Sequence, residues 1–184
     1  LEPGQHFTLD CHYDAAPGDR SRVGVAYLNL RNDVKRGDTL LLDDGLISMK
    51  VDDIVGLEIR CTVIHGGTLS DRKGLNRLGG GLSVPALTDR DRADVELAAE
   101  LGLDFLAVSF ARSAEDMHET RALLRKSGSG AALVAKIERA EAISVLGEII
   151  DASDAVMVAR GDLGVEIGDA ELPGLARRVL DERI

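Results

Sequence analysis

Two short apolar runs, Ala132–Ile137 and residues 155–159, set the strongest limit on what this chain can fold into. Both are built from Ala, Val, Ile, Leu and Met, and each ends abruptly in charge: Lys136-Ile-Glu138 after the first and Arg160-Gly-Asp162 after the second. Between them Ala142, Ile143, Leu146, Ile149 and Ile150 recur at helical spacing. The pattern predicts a buried strand, a crossover helix and a second buried strand parallel to the first. Units of this kind carry their chemistry at the carboxyl ends of the strands, where the charged residues stand.

Lys136 and Glu138 are two positions apart, so an extended backbone points them to the same side. Asp162 lies just past the next strand, beside Gly161. Two carboxylates and a lysine would then share one rim. Mg²⁺ takes one or two carboxylates and completes its shell with substrate oxygens. A neighbouring ammonium supplies a compact positive charge for a phosphate or enolate oxygen. Taken alone, these residues equally suit salt bridges on the rim of an α/β protein.

Composition narrows the classes. The chain has 184 residues, is 45% hydrophobic and carries a formal charge of −10. One or two domains with a real core fit that size. The acidic balance argues against non-specific nucleic-acid binding, so a phosphate site must be assembled locally. No apolar run approaches the roughly 20 residues of a membrane span. Cys11 and Cys61 show no metal or redox spacing and read as reduced thiols of a cytoplasmic protein. The four histidines are scattered. The chain begins at Leu1 and not Met, and reads as a piece of something longer.

Residues 1–84 read as all-β, a small barrel or sandwich with no helical segment. Val23, Val25 and Tyr27 alternate, Asp43-Asp-Gly45 is a strong turn signal between two strands, and Leu57, Ile59, Cys61 and Val63 alternate with polar residues. Residues 14–22 read as a polar turn. Residues 66–81 are glycine-rich and carry Arg72, Lys73 and Arg77. That stretch suits either a mobile phosphate-contacting loop or an ordinary solvated one. Gly79-Gly-Gly81 reads as a hinge. From residue 85 the rhythm becomes helix, strand, helix, strand, helix, strand, helix. Thr88 with Asp91 and Ser113 with Asp116 predict capped helix starts, residues 104–109 a strand, and residues 171–184 a final helix. Strict alternation implies a parallel sheet, as an arc of a (β/α)8 barrel or as an open doubly wound sheet.

The longer wording is more specific. Lys136-Ile-Glu138, followed by Ser153-Asp-Ala-Val-Met-Val-Ala-Arg-Gly-Asp-Leu-Gly-Val-Glu-Ile167, closely resembles the signature of the pyruvate kinase family. Asp43-Asp-Gly-Leu-Ile47 resembles its lid hairpin, Lys73-Gly-Leu-Asn76 a loop on the nucleotide side of that lid, and residues 103–110 its fourth barrel strand. The wording at residues 79–82 and Arg139-Ala-Glu141 is similar to the bacterial type II enzymes.

The resemblance implies an α/β fold. Residues 1–84 would be a small all-β barrel lid whose N-terminal part lies upstream, and residues 85–184 about strands four to six of a (β/α)8 TIM barrel. It implies Mg²⁺-dependent (or Mn²⁺-dependent) phosphoryl transfer from phosphoenolpyruvate to ADP, giving pyruvate and ATP in glycolysis, by a cytoplasmic homotetramer. K⁺ is implied as well, with ligands outside this chain, and the fragment alone is expected to be inactive. By the same resemblance Lys136 is the catalytic lysine, and Glu138 and Asp162 are the metal ligands. Lys136, Gly161, Asp162, Ser109 and Phe110 would contact the substrate, and Lys73 the nucleotide. Lys136→Met is expected to abolish turnover and largely spare folding. Two other readings stay open: a barrel lyase or aldolase acting on pyruvate through a metal-bound enolate, and a catalytically dead structural fragment.

Overall fold

The structure, a computed structural model, describes residues 1–12, 17–168 and 170–181. It divides into two compact units, Leu1–Val84 and Pro85–Ile184.

The first unit is built on β1 (His6–Asp10), β2 (Arg22–Gly24), a four-residue helix α1 (Leu30–Asp33), β3 (Thr39–Leu42), β4 (Ile47–Val55), β5 (Glu58–His65) and β6 (Leu75–Arg77). The six strands form one sheet in the order β2-β1-β5-β4-β3-β6. All ladders are antiparallel except β1 with β2. Inward residues alternate as a half-buried sheet requires: Phe7 and Leu9 on β1, Ile47, Met49 and Val51 on β4, Ile59, Cys61 and Val63 on β5. Each such aliphatic side chain contributes about 1.5–3 kcal/mol by leaving water.

The Asp43-Asp-Gly turn forms as its residue types demand. Leu46 donates its N–H to the Asp43 carbonyl at 3.0 Å, and Asp44 (φ 54°) and Gly45 (φ 84°) are both left-handed, the type I′ signature. Gly79, Gly80 and Gly81 also all have positive φ, a run that side chains would strain. Three sequence expectations need correction. A helix does interrupt this unit, because Leu30 tucks fully into the core. Strand β2 stops at Gly24, short of Val25 and Tyr27. The glycine-rich stretch 66–81 contains β6, which pairs with β3 and so satisfies backbone groups that would otherwise be unpaired. Of the expected turn at residues 14–22, residues 14–16 lie outside the described residues. Its latter part is closed by Asp19, whose Oδ1 accepts from the Ser21 and Arg22 amides.

The second unit runs α2 (Asp89–Glu100), β7 (Phe105–Val108), α3 (Ala114–Lys126), β8 (Ala132–Ile137), a 3-10 turn (Ala140–Ile143), α4 (Leu146–Asp151), β9 (Ala155–Val158), α5 (Arg160–Ile167) and α6 (Leu172–Asp181). Both capping boxes form, Thr88 with Asp91 and Ser113 with Asp116. The last residues of the expected final helix, 182–184, lie outside the described residues. The segment expected as one helix between β8 and β9 is two pieces, a 3-10 turn and then α4. Ala142, Leu146, Ile149 and Ile150 are nevertheless all buried, since both pieces turn their apolar side to the same core.

Strands β7, β8 and β9 make a parallel sheet in that order. The face bearing Leu133, Ala135 and Ile137 is fully buried among helix residues such as Met117, Leu124 and Ile149. The opposite face carries Phe105, Ala107, Val134, Lys136 and Met157, and it is partly open. The two outer strands are therefore less buried than their apolar sequences suggest, with Phe105 65% exposed. Lys136 sits on that open face.

Candidate active site

Strand β8 sorts its side chains by parity. Ile137 goes to the packed face and Lys136 to the open one, and Glu138 follows at the carboxyl end. Lys136 Nζ donates to Ser109 Oγ at 3.0 Å and forms an ion pair with Glu138 Oε1. Glu138 is 1% exposed. Its second oxygen accepts the backbone N–H of Phe110 at 2.8 Å. A buried carboxylate is costly unless charge and hydrogen bonds reach it. Here one oxygen meets an ammonium and the other an amide. Both carboxylate oxygens are thus engaged within the protein, Oε1 by the Lys136 ammonium and Oε2 by the Phe110 amide.

Phe110 carries strain to make this contact. Its φ is 56°, in the left-handed region where a bulky residue is an outlier. Such outliers concentrate at ligand sites, where surrounding structure holds them. The Phe110 ring is exposed.

On the neighbouring strand, the chain leaves β9 and enters α5. Ala159 donates its N–H to the Ile137 carbonyl at 3.1 Å, so the two strand ends are fastened side by side. Gly161 and half-buried Asp162 occupy the first turn of α5. A Cβ on Gly161 would meet nothing within 4 Å, and its φ is not left-handed. Neither packing nor conformation demands glycine there. What its absence of side chain leaves is open space over backbone amides at a helix start, a favourable place for an anion.

The donor set suits Mg²⁺ in one way only. Among the described residues no group of three or more His, Cys, Asp or Glu could hold a metal. Glu138 and Asp162 supply two carboxylates at adjacent strand ends, so water and substrate oxygens would have to supply the rest, as Mg²⁺ prefers.

Lys73 belongs to the first unit. Its Nζ lies 2.7 Å from Asp43 Oδ1, and the Asp43 backbone N–H donates to the Gly74 carbonyl at 3.1 Å. The hydrogen bond and charge of Asp43, with Asp44 adding, raise the Lys73 pKa above its ordinary value. Lys73 is thus held on an ordered turn.

The structure therefore brings together Lys136, Ser109, Glu138 and the Phe110 amide, and sets Gly161 and Asp162 on the adjoining strand end. Sequence reasoning missed two residues beside them. Arg139 is 5% exposed and Glu166 1%, and they face each other across an Nε to Oε1 distance of 3.2 Å. A signal was available: Glu166 stands four residues after Asp162, one helical turn along.

Residues 1–183 match the family model described as pyruvate kinase, barrel domain. The chain belongs to the pyruvate kinase family. It is 50% identical over 183 residues to a pyruvate kinase of Buchnera aphidicola from Acyrthosiphon pisum, covering 98% of this chain and 38% of that protein. To pyruvate kinase II of Salmonella typhimurium it is likewise 50% identical over 183 residues, with the same coverage of 98% and 38%. With a pyruvate kinase of Corynebacterium glutamicum the identity is 40% over 173 residues, 94% of this chain and 36% of the relative. The chain thus spans well under half the length of these pyruvate kinases. No helix among the described residues is long and apolar enough to cross a membrane.

Proposed function

We propose that this chain contributes residues to a pyruvate kinase active site, within a cytoplasmic protein that transfers a phosphoryl group from phosphoenolpyruvate to ADP. The observation that carries this reading is the buried Glu138, held between the Lys136 ammonium and the Phe110 amide at the carboxyl end of β8. A rim salt bridge would be solvated; this one has a carboxylate almost wholly out of water.

On this reading β7, β8 and β9 are an arc of a (β/α)8 barrel, about its fourth to sixth strands. Their sequential parallel order fits such an arc. The open face bearing Lys136 would line the barrel interior. The first unit, with Lys73, would be the lid.

Phosphoryl transfer is mostly positioning and charge neutralisation. Lys136, steadied by Ser109 Oγ, places its ammonium where the bridging oxygen of phosphoenolpyruvate becomes an enolate oxygen as its bond to phosphorus breaks. Glu138 and Asp162 would hold the divalent cation, Mg²⁺ or Mn²⁺, which when bound supplies Lewis-acid stabilisation of substrate oxygens. The amides of Gly161 and Asp162 receive the substrate carboxylate, and Ser109 and Phe110 flank it. Lys73 releases Asp43 to reach the nucleotide phosphates. K⁺ dependence and a homotetramer are proposed for the longer protein on family grounds.

The test is Mg²⁺-dependent pyruvate formation from phosphoenolpyruvate and ADP, measured on the longer protein and on the 184-residue chain. Turnover by the longer protein that Glu138→Gln abolishes is the expected result, with none from the chain alone. Turnover undiminished by Glu138→Gln would overturn the assignment.

A further inference from the structure

Two carboxylates on separate segments make a cation site only if the distance between them is fixed. Glu138 follows β8, and Asp162 opens α5. The connection between them is a buried ionic cluster. Glu166, on α5 one turn beyond Asp162, accepts the Ala140 N–H at 2.9 Å through Oε2. Its Oε1 lies 3.2 Å from Arg139 Nε, and Arg139 Nη2 donates to Glu141 Oε1 at 3.1 Å. Arg139 directly follows Glu138, and Ala140 is the next residue. The backbone that sets Glu138 is thereby clamped to the helix that sets Asp162.

We infer that Arg139 and Glu166 are positioning residues that hold the two cation-binding carboxylates at their working separation. The inference rests on the proposed role of Glu138 and Asp162 as cation ligands. A buried ion pair is poor at stabilising a fold and is often replaceable by apolar residues without loss. Its place here, between two ligand-bearing segments, gives it a different use. A ligand displaced by a fraction of an ångström weakens a metal site. Outer partners of ligands typically change metal affinity by about 10- to 100-fold.

The experiment uses Mn²⁺ titrated into the longer protein, with free Mn²⁺ read by electron paramagnetic resonance and each variant's thermal midpoint recorded. Glu138→Gln serves as the ligand control. Arg139→Met and Glu166→Gln are expected to weaken Mn²⁺ binding about 10- to 100-fold, and Arg139→Lys to recover part of it. The double variant Arg139→Met/Glu166→Met decides between positioning and mere structure, because it removes both charges of the central pair together, with Glu141 and the Ala140 N–H losing a partner. It is expected to regain part of the thermal midpoint while Mn²⁺ binding stays weak. Should Arg139→Met fail to fold, the double variant and Glu166→Gln carry the test. Mn²⁺ affinity within about twofold of wild type in these folded variants, with binding lost in Glu138→Gln, would overturn the inference and leave the site assignment standing. Unchanged affinity in Glu138→Gln would instead remove the assignment and the inference with it.

Discussion

Glu138 accepts the backbone N–H of Phe110 at 2.8 Å across 28 residues of sequence, and Phe110 adopts a left-handed backbone to give it. The contact joins the ends of β7 and β8. It aims a backbone amide, a donor that only a proline substitution would remove, at a carboxylate that is 1% exposed.

That geometry reverses the usual order of two small residues. Alanine is ordinarily more stabilising than glycine by about 0.5–1 kcal/mol, but a Cβ in the left-handed region costs about 1–2 kcal/mol. Phe110→Gly is therefore expected to be more stable than Phe110→Ala by about 1 kcal/mol. Chemical denaturation of the two variants measures it, and an alanine variant as stable as the glycine one would contradict the strained backbone.

Lys136→Met is expected to lower turnover of the longer protein by at least about 10²–10³-fold. The structure changes what the sequence suggested about its folding. With the ammonium gone, the nearly inaccessible Glu138 carboxylate keeps the Phe110 amide but loses its charge partner. A loss of about 2 kcal/mol in stability is expected, readable as a lower thermal midpoint. A midpoint equal to wild type would show that the pair is not coupled to folding.

Asp33 tests the first unit. Partial burial pushes its carboxyl up. Hydrogen bonds from Tyr27 and Ser83 and the charge of Arg77 outweigh that, and the net shift is below the ordinary 3.8. Its Oδ2 accepts the Ser83 N–H at 2.8 Å and its Oδ1 the Ser83 hydroxyl at 2.9 Å. A depressed folded pKa means that Asp33 contributes stability above pH 3.8 and loses it as pH falls through the lower folded value. Asp33→Asn is expected to cost about 1–2 kcal/mol at neutral pH, with the gap to wild type closing on acidification. A pH-independent gap would rule out the charged form as the contributor.

Cys61 supplies the opposite sign. It is 1% exposed, and burial, with Asp52 nearby, pushes its thiol up to about 12 from 9.0. The unfolded chain therefore ionises first. Stability is expected to fall between pH 9 and about 12, by up to about 1.4 kcal/mol per pH unit for one such thiol. Cys61→Ala should flatten that alkaline slope in thermal melts. The native thiol should also resist alkylation at pH 8 and react fully in denaturant, and rapid native labelling would refute its burial.

The strand, helix and strand around Lys136 and Asp162 were legible in the sequence, as were both capping boxes and the Asp43-Asp-Gly turn. These depend on period and on contacts a few residues long. So does the placing of Lys136 and Glu138 together, since two residues of one strand end must share a side. The family wording added which roles to expect. What the sequence did not show are the contacts between segments: Ser109 under Lys136, the Phe110 amide on Glu138, and Arg139 against Glu166 across α5. Strands β1 and β6, with few apolar residues of their own, were also invisible, because their pairing is fixed by the strands beside them. The division of the helix before β9 into a 3-10 turn and α4 has the same origin. Local propensity sets what each segment tends to be. Which buried charge meets which partner depends on how the whole unit packs, and only the folded chain decides it.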